Sequence, residues 1–105
     1  MTIEEFKEIA LSFPQTIANP HFDRTAFKVE KKRIFATLHE PSNSANIKFN
    51  AIDQSVFSTI NKAFVYPISN EWGLQGWTTF ELSELPKKLV QDALNTAYLN
   101  VLKPK

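Results

Sequence analysis

The side chains best suited to bind a charged ligand are basic, and most of them lie in the middle of the chain. Seven basic and three acidic residues fall between Arg24 and Lys62, a local charge of +4, whereas the whole chain carries +1. Local basicity of this kind suits a polyanion or an acidic partner. The residues we expect to contact phosphate groups are Arg24, Lys28, Lys31, Lys32, Arg33 and Lys48.

Three of these basic residues are consecutive, at Lys31-Lys32-Arg33, and the pattern around them predicts a hairpin turn. One interpretation is a basic wing that contacts the nucleic-acid backbone. The other is a solvated turn that keeps the sheet edge from pairing with another chain. The sequence leaves both open.

Both glycines and both tryptophans of the chain fall within residues 72–77. Glycine is favoured where the backbone needs a positive φ or passes close to another group. We expect Trp72 to pack against the sheet, and Trp77 either to pack or to stack on a base. A second hypothesis is a groove beside this segment for a small molecule or peptide, lined by His21, Tyr66, Trp72 and Trp77.

The chain shows no pattern typical of catalysis or metal binding. It has no cysteine and only two histidines, and P-loop, G-x-G-x-x-G, H-E-x-x-H and G-x-S-x-G motifs are missing. His21 with Asp23, and His39 with Glu40, are too few for a metal site, so we expect structural roles for them. No nucleophile–base pair is recognisable. We therefore expect no enzyme activity, no cofactor and no metal.

The elements that position these residues follow from hydrophobic periodicity. Residues 15–23, which include Asn19-Pro20, read as an irregular connection. Alternating segments predict antiparallel strands, and the apolar stripes of the helices predict that they cover one face of the sheet. The predicted order is helix, three strands, helix, extended segment, strand, helix, at residues 2–12, 25–29, 33–40, 45–49, 53–61, 63–68, 77–82 and 86–102.

Local patterns refine these elements. Thr2 and Glu5 form a capping-box pattern at the start of the first helix. Asp53 is the predicted N-cap of the second helix, which should point Val56, Phe57 and Ile60 inward. In the strand at 33–40, the alternation predicts that Ile34, Ala36 and Leu38 share one face.

The length of 105 residues suits a single α+β domain spanning residues 1–105. The N-terminus lacks the basic and apolar regions of a signal peptide, and no apolar stretch is long enough to cross a membrane. We therefore expect a cytoplasmic protein without a membrane partner.

Several short motifs recur in an order that resembles the MmcQ/YjbR family of small bacterial proteins, over essentially the whole chain. The motifs are Phe13-Pro14, His21-Phe22, residues 26–29, residues 34–38, Phe64 with Pro67, residues 72–78, residues 92–94 and Ala97-Tyr98. The resemblance implies a CyaY-like α+β fold, which is also described as a double-wing arrangement. It also implies a DNA-binding role, because members of the family are commonly labelled as DNA-binding proteins. Members often carry glycine in the first hairpin turn, where this chain has Glu30-Lys31-Lys32, so we expect a less tight and more charged turn here.

The leading hypothesis from the sequence is a non-enzymatic DNA-binding or regulatory protein. The alternative is a small-molecule or peptide-binding module that uses the groove beside residues 72–77.

Overall fold

The computed structural model describes residues 1–103, and its centre is a six-stranded antiparallel sheet. The strands are Thr16–His21 (β1), Arg24–Val29 (β2), Ile34–His39 (β3), Ser44–Lys48 (β4), Val65–Pro67 (β5) and Trp77–Glu81 (β6). Their order across the sheet is β1-β2-β3-β4-β6-β5, and every neighbouring pair is antiparallel.

Three of the four α-helices in residues 1–103 cover one face of this sheet. The helices are Ile3–Ser12 (α1), Ala51–Ile60 (α2), Glu71–Leu74 (α3) and Lys87–Leu102 (α4), with a short 3-10 helix at Leu82–Glu84. α1 contacts β1, α2 contacts β5 and β6, and α4 contacts β3 and β4. The predicted α+β class, the antiparallel sheet and the order of the predicted elements are confirmed. None of the helices in residues 1–103 combines the length and apolarity needed to span a membrane.

Aromatic rings form much of the core between the sheet and the helices. Phe6 of α1 meets Phe27 of β2 edge to face, with ring centroids 5.8 Å apart. Tyr98 of α4 stacks on Phe13 at 4.8 Å. Such pairs add about 0.5–1.5 kcal/mol to the free energy of burial, so they help fix how the helices sit on the sheet.

The first strand was not expected, because Pro20 in the segment 15–23 argued against a strand. The structure places β1 at the edge of the sheet, where only one side of the strand pairs. An edge strand tolerates proline, since its missing N–H is not needed for a second ladder. The structure also resolves the extended segment into β5, and it adds α3 before β6.

The second helix begins earlier than predicted. Its N-cap is Asn50, whose side-chain oxygen accepts a hydrogen bond from the Asp53 backbone N–H at 2.8 Å. Asp53, the predicted cap, is the third helical residue, and its carboxylate accepts a hydrogen bond from Asn100 at 3.1 Å. Val56 and Ile60, predicted to point inward, are exposed, and Phe57 is the buried residue of this helix.

A β-bulge changes which side chains of β3 face the helices. Phe27 pairs with Ala36, but Lys28 pairs with Ile34, so Phe35 is an extra residue in β3. Phe35 and Ala36 are both fully buried, and the Phe35 ring lies 6.0 Å from that of Tyr98. The prediction that Ile34 and Ala36 share one face was therefore wrong, and the bulge places Ile34 on the face away from the helices.

Candidate functional site

The face of the sheet opposite α1, α2 and α4, here called the open face, carries the predicted binding residues. Successive side chains of a strand point to opposite faces, so the strand register identifies which ones lie here. One row across β2, β3, β4 and β6 consists of Lys28, Ile34, Lys48 and Trp77. A second row, nearer the middle, consists of Ala26, Thr37, Asn46 and Thr79.

The six predicted basic residues lie on the open face or in the turn at its end. Lys28 and Lys48 are half-buried in the first row. Arg24 starts β2, at the other end of that strand. The three remaining residues, Lys31, Lys32 and Arg33, are exposed in the turn between β2 and β3. Folding thus brings together cations that are spread over 25 residues of sequence. Arg33 and Lys48 also line a cavity with residues of α4, so this set reaches the border with the helix layer.

The turn between β2 and β3 is tighter than expected. The Lys32 N–H donates to the Val29 carbonyl oxygen at 2.8 Å, which closes a four-residue turn. Lys31 has φ +65°, the left-handed conformation that glycine adopts most easily. The side chains of Lys31 and Lys32 therefore project into solvent from a closed turn.

A groove of ≈ 390 Å³ lies on the open face. This volume is within the range of small-molecule sites. None of the eight residues that line it is acidic: His21, Arg24, Ile34, Thr37, Asn46, Ile68, Trp72 and Trp77. The groove contains three of the four residues predicted for it, and it adds Arg24 from the basic set.

Arg24 is the charged group of this groove. Its Nε donates to Thr37 Oγ1 at 2.9 Å, while its Nη2 is buried and has no hydrogen-bond partner within residues 1–103. Burial lowers the pKa of Arg24, and the charge of Asp23 acts in the opposite direction. The guanidinium still stays charged at neutral pH. The groove thus holds a cation with an unused donor.

Trp72 lines the groove and is 52% exposed, so the prediction that it packs against the sheet was wrong. It is the second residue of α3, whose N-cap Asn70 accepts a hydrogen bond from the Trp72 N–H at 2.9 Å. Gln54 of α2 donates to the Gly73 carbonyl oxygen at 2.8 Å. The N-cap hydrogen bond and the hydrogen bond from Gln54 hold this segment in place, and they leave the ring of Trp72 exposed.

The two glycines fix the path of the chain between Trp72 and Trp77. A Cβ at Gly73 would lie 1.8 Å from the Ile68 carbonyl oxygen, and one at Gly76 would lie 1.8 Å from that of Phe49. Gly76 also has φ +106°. Close backbone approach at both positions therefore sets where the two indole rings meet the groove.

Tyr66, the fourth residue predicted for the groove, does not line it. Its hydroxyl donates to Glu81 Oε2 at 2.7 Å, and the residue borders a separate depression between α2 and β5. The hydrogen bond to Glu81 raises the pKa of Tyr66 above its usual range, and some desolvation adds to this effect. Pairing in β5 directs Tyr66 toward Glu81, which leaves the groove without a phenol.

The structure assembles a serine, a histidine and a carboxylate that the sequence did not suggest belong together. Ser42 Oγ lies 2.6 Å from His39 Nδ1, and Asp23 Oδ2 lies 3.0 Å from His39 Nε2. Such a chain can activate a nucleophile where a substrate can reach it. Within residues 1–103, these residues line neither the groove nor two further cavities, one beside α4 and one between α2 and β5. We interpret the trio as a cross-link between the β1–β2 and β3–β4 turns.

The remaining acid–base candidates lie apart. Glu40 pairs with Lys7 of α1 at 2.9 Å, and the His21 ring meets the Phe22 ring at 5.0 Å. Within residues 1–103, no three His, Asp or Glu side chains come close enough together to hold a metal ion.

Four lining residues of the groove escaped the sequence analysis. Thr37 and Asn46 pair across β3 and β4 on the open face. Their polarity at outward positions of two adjacent strands was a usable signal. Ile34 reaches the groove only because of the bulge, and Ile68 only because of the path of residues 68–76. Neither position in the groove could be predicted from the local sequence.

Comparison with known proteins adds a family and a fold. The family model described as YjbR matches residues 11–100. The crystal structure of Deinococcus radiodurans protein DR2400, a DUF419 domain, superimposes with a TM-score of 0.82 at 19% sequence identity. The match covers 97% of this chain and 79% of that chain, and at this identity it speaks to the fold alone. No functionally curated protein matches the chain.

Proposed function

The chain belongs to the YjbR family, and we propose that it is a non-enzymatic DNA-binding protein that uses the open face and the β2–β3 turn. The observation that carries this proposal is that the basic residues of the open face adjoin the exposed basic turn between β2 and β3. Two acidic side chains of the same side are engaged internally, Asp23 with His39 and Glu81 with Tyr66, whereas Glu30 is exposed in the turn. The open face therefore offers more cations than unengaged carboxylates to a polyanion.

The β2–β3 turn is the part best suited to contact phosphates. Lys31, Lys32 and Arg33 are exposed in it and make no ion pair within residues 1–103. Flexible cations of this kind neutralise phosphates and release counterions, which supplies affinity without sequence preference. Lys28 and Lys48, in the adjacent row, extend the basic track onto the sheet.

The rings beside this track favour a single strand over a duplex. Trp77 is half-buried in the same row as Lys28 and Lys48, and Trp72 also lines the groove. Aromatic rings next to a basic track are typical of surfaces that bind single strands, because unpaired bases expose their faces for stacking. We propose that phosphates lie along the basic row and that one base stacks at Trp77.

The proposal assigns no catalytic step. The Ser42–His39–Asp23 chain lies outside the groove, and the groove residues include no carboxylate that could act as a base. A bacterial DNA partner would place the protein in the cytoplasm.

Fluorescence anisotropy with labelled single-stranded and duplex DNA of equal length, at two or more salt concentrations, tests this function. If about four phosphates are neutralised, the logarithm of affinity should fall with the logarithm of salt at a slope of about −3 for the single strand. K31E/K32E should weaken binding strongly. K87E/K88E is the control, since it makes the same charge change on α4, in the helix layer. It also removes the ion pairs of Lys87 with Glu5 and of Lys88 with Asp92, so thermal unfolding must show that this variant is folded.

Two results would contradict the proposal. One is no binding of either DNA at low salt. The other is an equal loss of affinity in K31E/K32E and K87E/K88E, because it would show that only the net charge matters.

A further inference from the structure

The groove contains a cation whose hydrogen-bonding capacity is not fully used within residues 1–103, and this holds whether or not the open face binds DNA. Arg24 is a cation in a concave site without a carboxylate, and its Nη2 is buried without a partner. A buried donor that makes no hydrogen bond is costly to the fold, more so when it is charged. An anion in the groove would supply the missing acceptor and would add to the negative charge of Asp23, which already acts on Arg24.

Further polar groups of the groove suit an oxyanion. Asn46 Oδ1 accepts a hydrogen bond from Thr79 Oγ1 at 2.8 Å, which leaves the Asn46 amide N–H groups as donors. They make no hydrogen bond within residues 1–103. Thr37 holds the Arg24 guanidinium from the next strand through the bond to Nε. A guanidinium and an amide thus converge from two strands on one site.

The walls of the groove suit a planar apolar body. Ile34, Ile68 and the two indole rings of Trp72 and Trp77 surround the polar groups. Flat rings favour stacking with other flat rings, and the aliphatic side chains exclude water around them. A ligand that satisfies both halves of the groove combines one oxyanion with one aromatic ring system.

We propose that the groove is a binding site for a small planar aromatic molecule that bears a single carboxylate or phosphate group. The oxyanion binds Arg24 and the Asn46 amide, and the ring lies between Trp72 and Trp77. The site shares Arg24 and Trp77 with the proposed DNA surface, so ligand and DNA would compete. The ligand site itself does not depend on DNA binding.

Isothermal titration calorimetry with small probes, in the absence of DNA, tests the site. The probes are indole-3-carboxylate, its uncharged amide indole-3-carboxamide, and phenyl phosphate. The variants are Arg24→Gln and, as the control that removes one positive charge outside the groove, Lys62→Gln. Thermal unfolding of each variant shows whether it is folded.

Saturable binding of one of the anionic probes, with the amide at least about tenfold weaker, supports the site. R24Q should weaken binding of the anionic probe by about tenfold or more, and K62Q should leave it unchanged. The stronger of the two anions identifies the preferred oxyanion. Equal binding of acid and amide to the wild-type protein overturns the proposal, as does no saturable binding of either anion at millimolar concentration. The probe affinities of the wild-type protein alone support or overturn the proposed site, even if R24Q does not fold.

The two proposals fail separately. Loss of DNA binding in K31E/K32E with intact ligand binding leaves the groove site standing. If the wild-type protein binds the ligand but no DNA, and R24Q abolishes ligand binding, only the DNA proposal is contradicted.

Discussion

Replacement of Gly76 by alanine should destabilise the protein through a backbone clash at the base of the tryptophan segment. The new Cβ would lie 1.8 Å from the Phe49 carbonyl oxygen and must retreat to the 3.4 Å of an ordinary contact. That movement pulls apart the Phe49 N–H and the Gly76 carbonyl oxygen, which are hydrogen-bonded at 3.0 Å. The positive φ of +106° adds strain that an L-residue with a side chain rarely accepts.

The expected loss of unfolding free energy for G76A is about 3–4 kcal/mol. A left-handed conformation costs about 1–2 kcal/mol, a lost hydrogen bond about 1 kcal/mol, and the disturbed packing around Phe49 about another 1 kcal/mol. Phe49 stacks on Phe57 of α2 at 4.9 Å, so a shift of β4 is transmitted to that helix.

Urea unfolding followed by circular dichroism measures the change in stability. Gln75→Ala is the matched control, because Gln75 is the exposed neighbour and its side chain makes no hydrogen bond within the described part of the chain. Q75A should stay within about 0.5 kcal/mol of the wild type. A G76A midpoint as close to the wild type as that of Q75A would refute the reasoning about backbone approach.

Three further changes test single contacts. Asn50→Ala removes the cap of α2 and should cost about 1 kcal/mol by urea unfolding, and an unchanged midpoint would show that the cap is not needed. Tyr98→Phe removes the hydroxyl that donates to the Pro14 carbonyl oxygen at 2.9 Å and should also cost about 1 kcal/mol, and a gain in stability would contradict this. Glu81→Gln should lower the raised pKa of Tyr66, measured by phenolate absorbance in a Y98F background. Because the folded state holds the Tyr66 proton more tightly, stability should fall as pH rises above the ordinary tyrosine range, and less steeply in E81Q.

Periodicity and capping were enough to predict most of the fold. The Thr2–Glu5 capping box forms as expected, with the Glu5 N–H 3.1 Å from Thr2 Oγ1. The same capping preferences predicted that α2 would start at Asp53 rather than Asn50, although aspartate and asparagine are both good caps. Which of the two is used depends on where β4 ends and on Asn100 of α4, which is information from distant parts of the chain.

The binding surface was predictable only in part, for a similar reason. Polar residues at alternate positions place Thr37 and Asn46 on one face, but nothing local shows that Arg24 will reach Thr37 from the neighbouring strand. The bulge at Phe35 comes with a ring contact to Tyr98 of α4, which is distant in sequence. It shifts Ile34 into the groove, and no periodicity rule predicts such an extra residue.

The most direct test of the proposed function is the affinity of the wild-type protein for a single strand and for a duplex of equal length, measured against salt. The surface described here predicts tighter binding of the single strand, with a salt slope of about −3 that becomes shallower in K31E/K32E and is unchanged in K87E/K88E. Absence of binding at low salt, or a slope unaffected by K31E/K32E, would contradict the assignment of the open face as a DNA-binding surface.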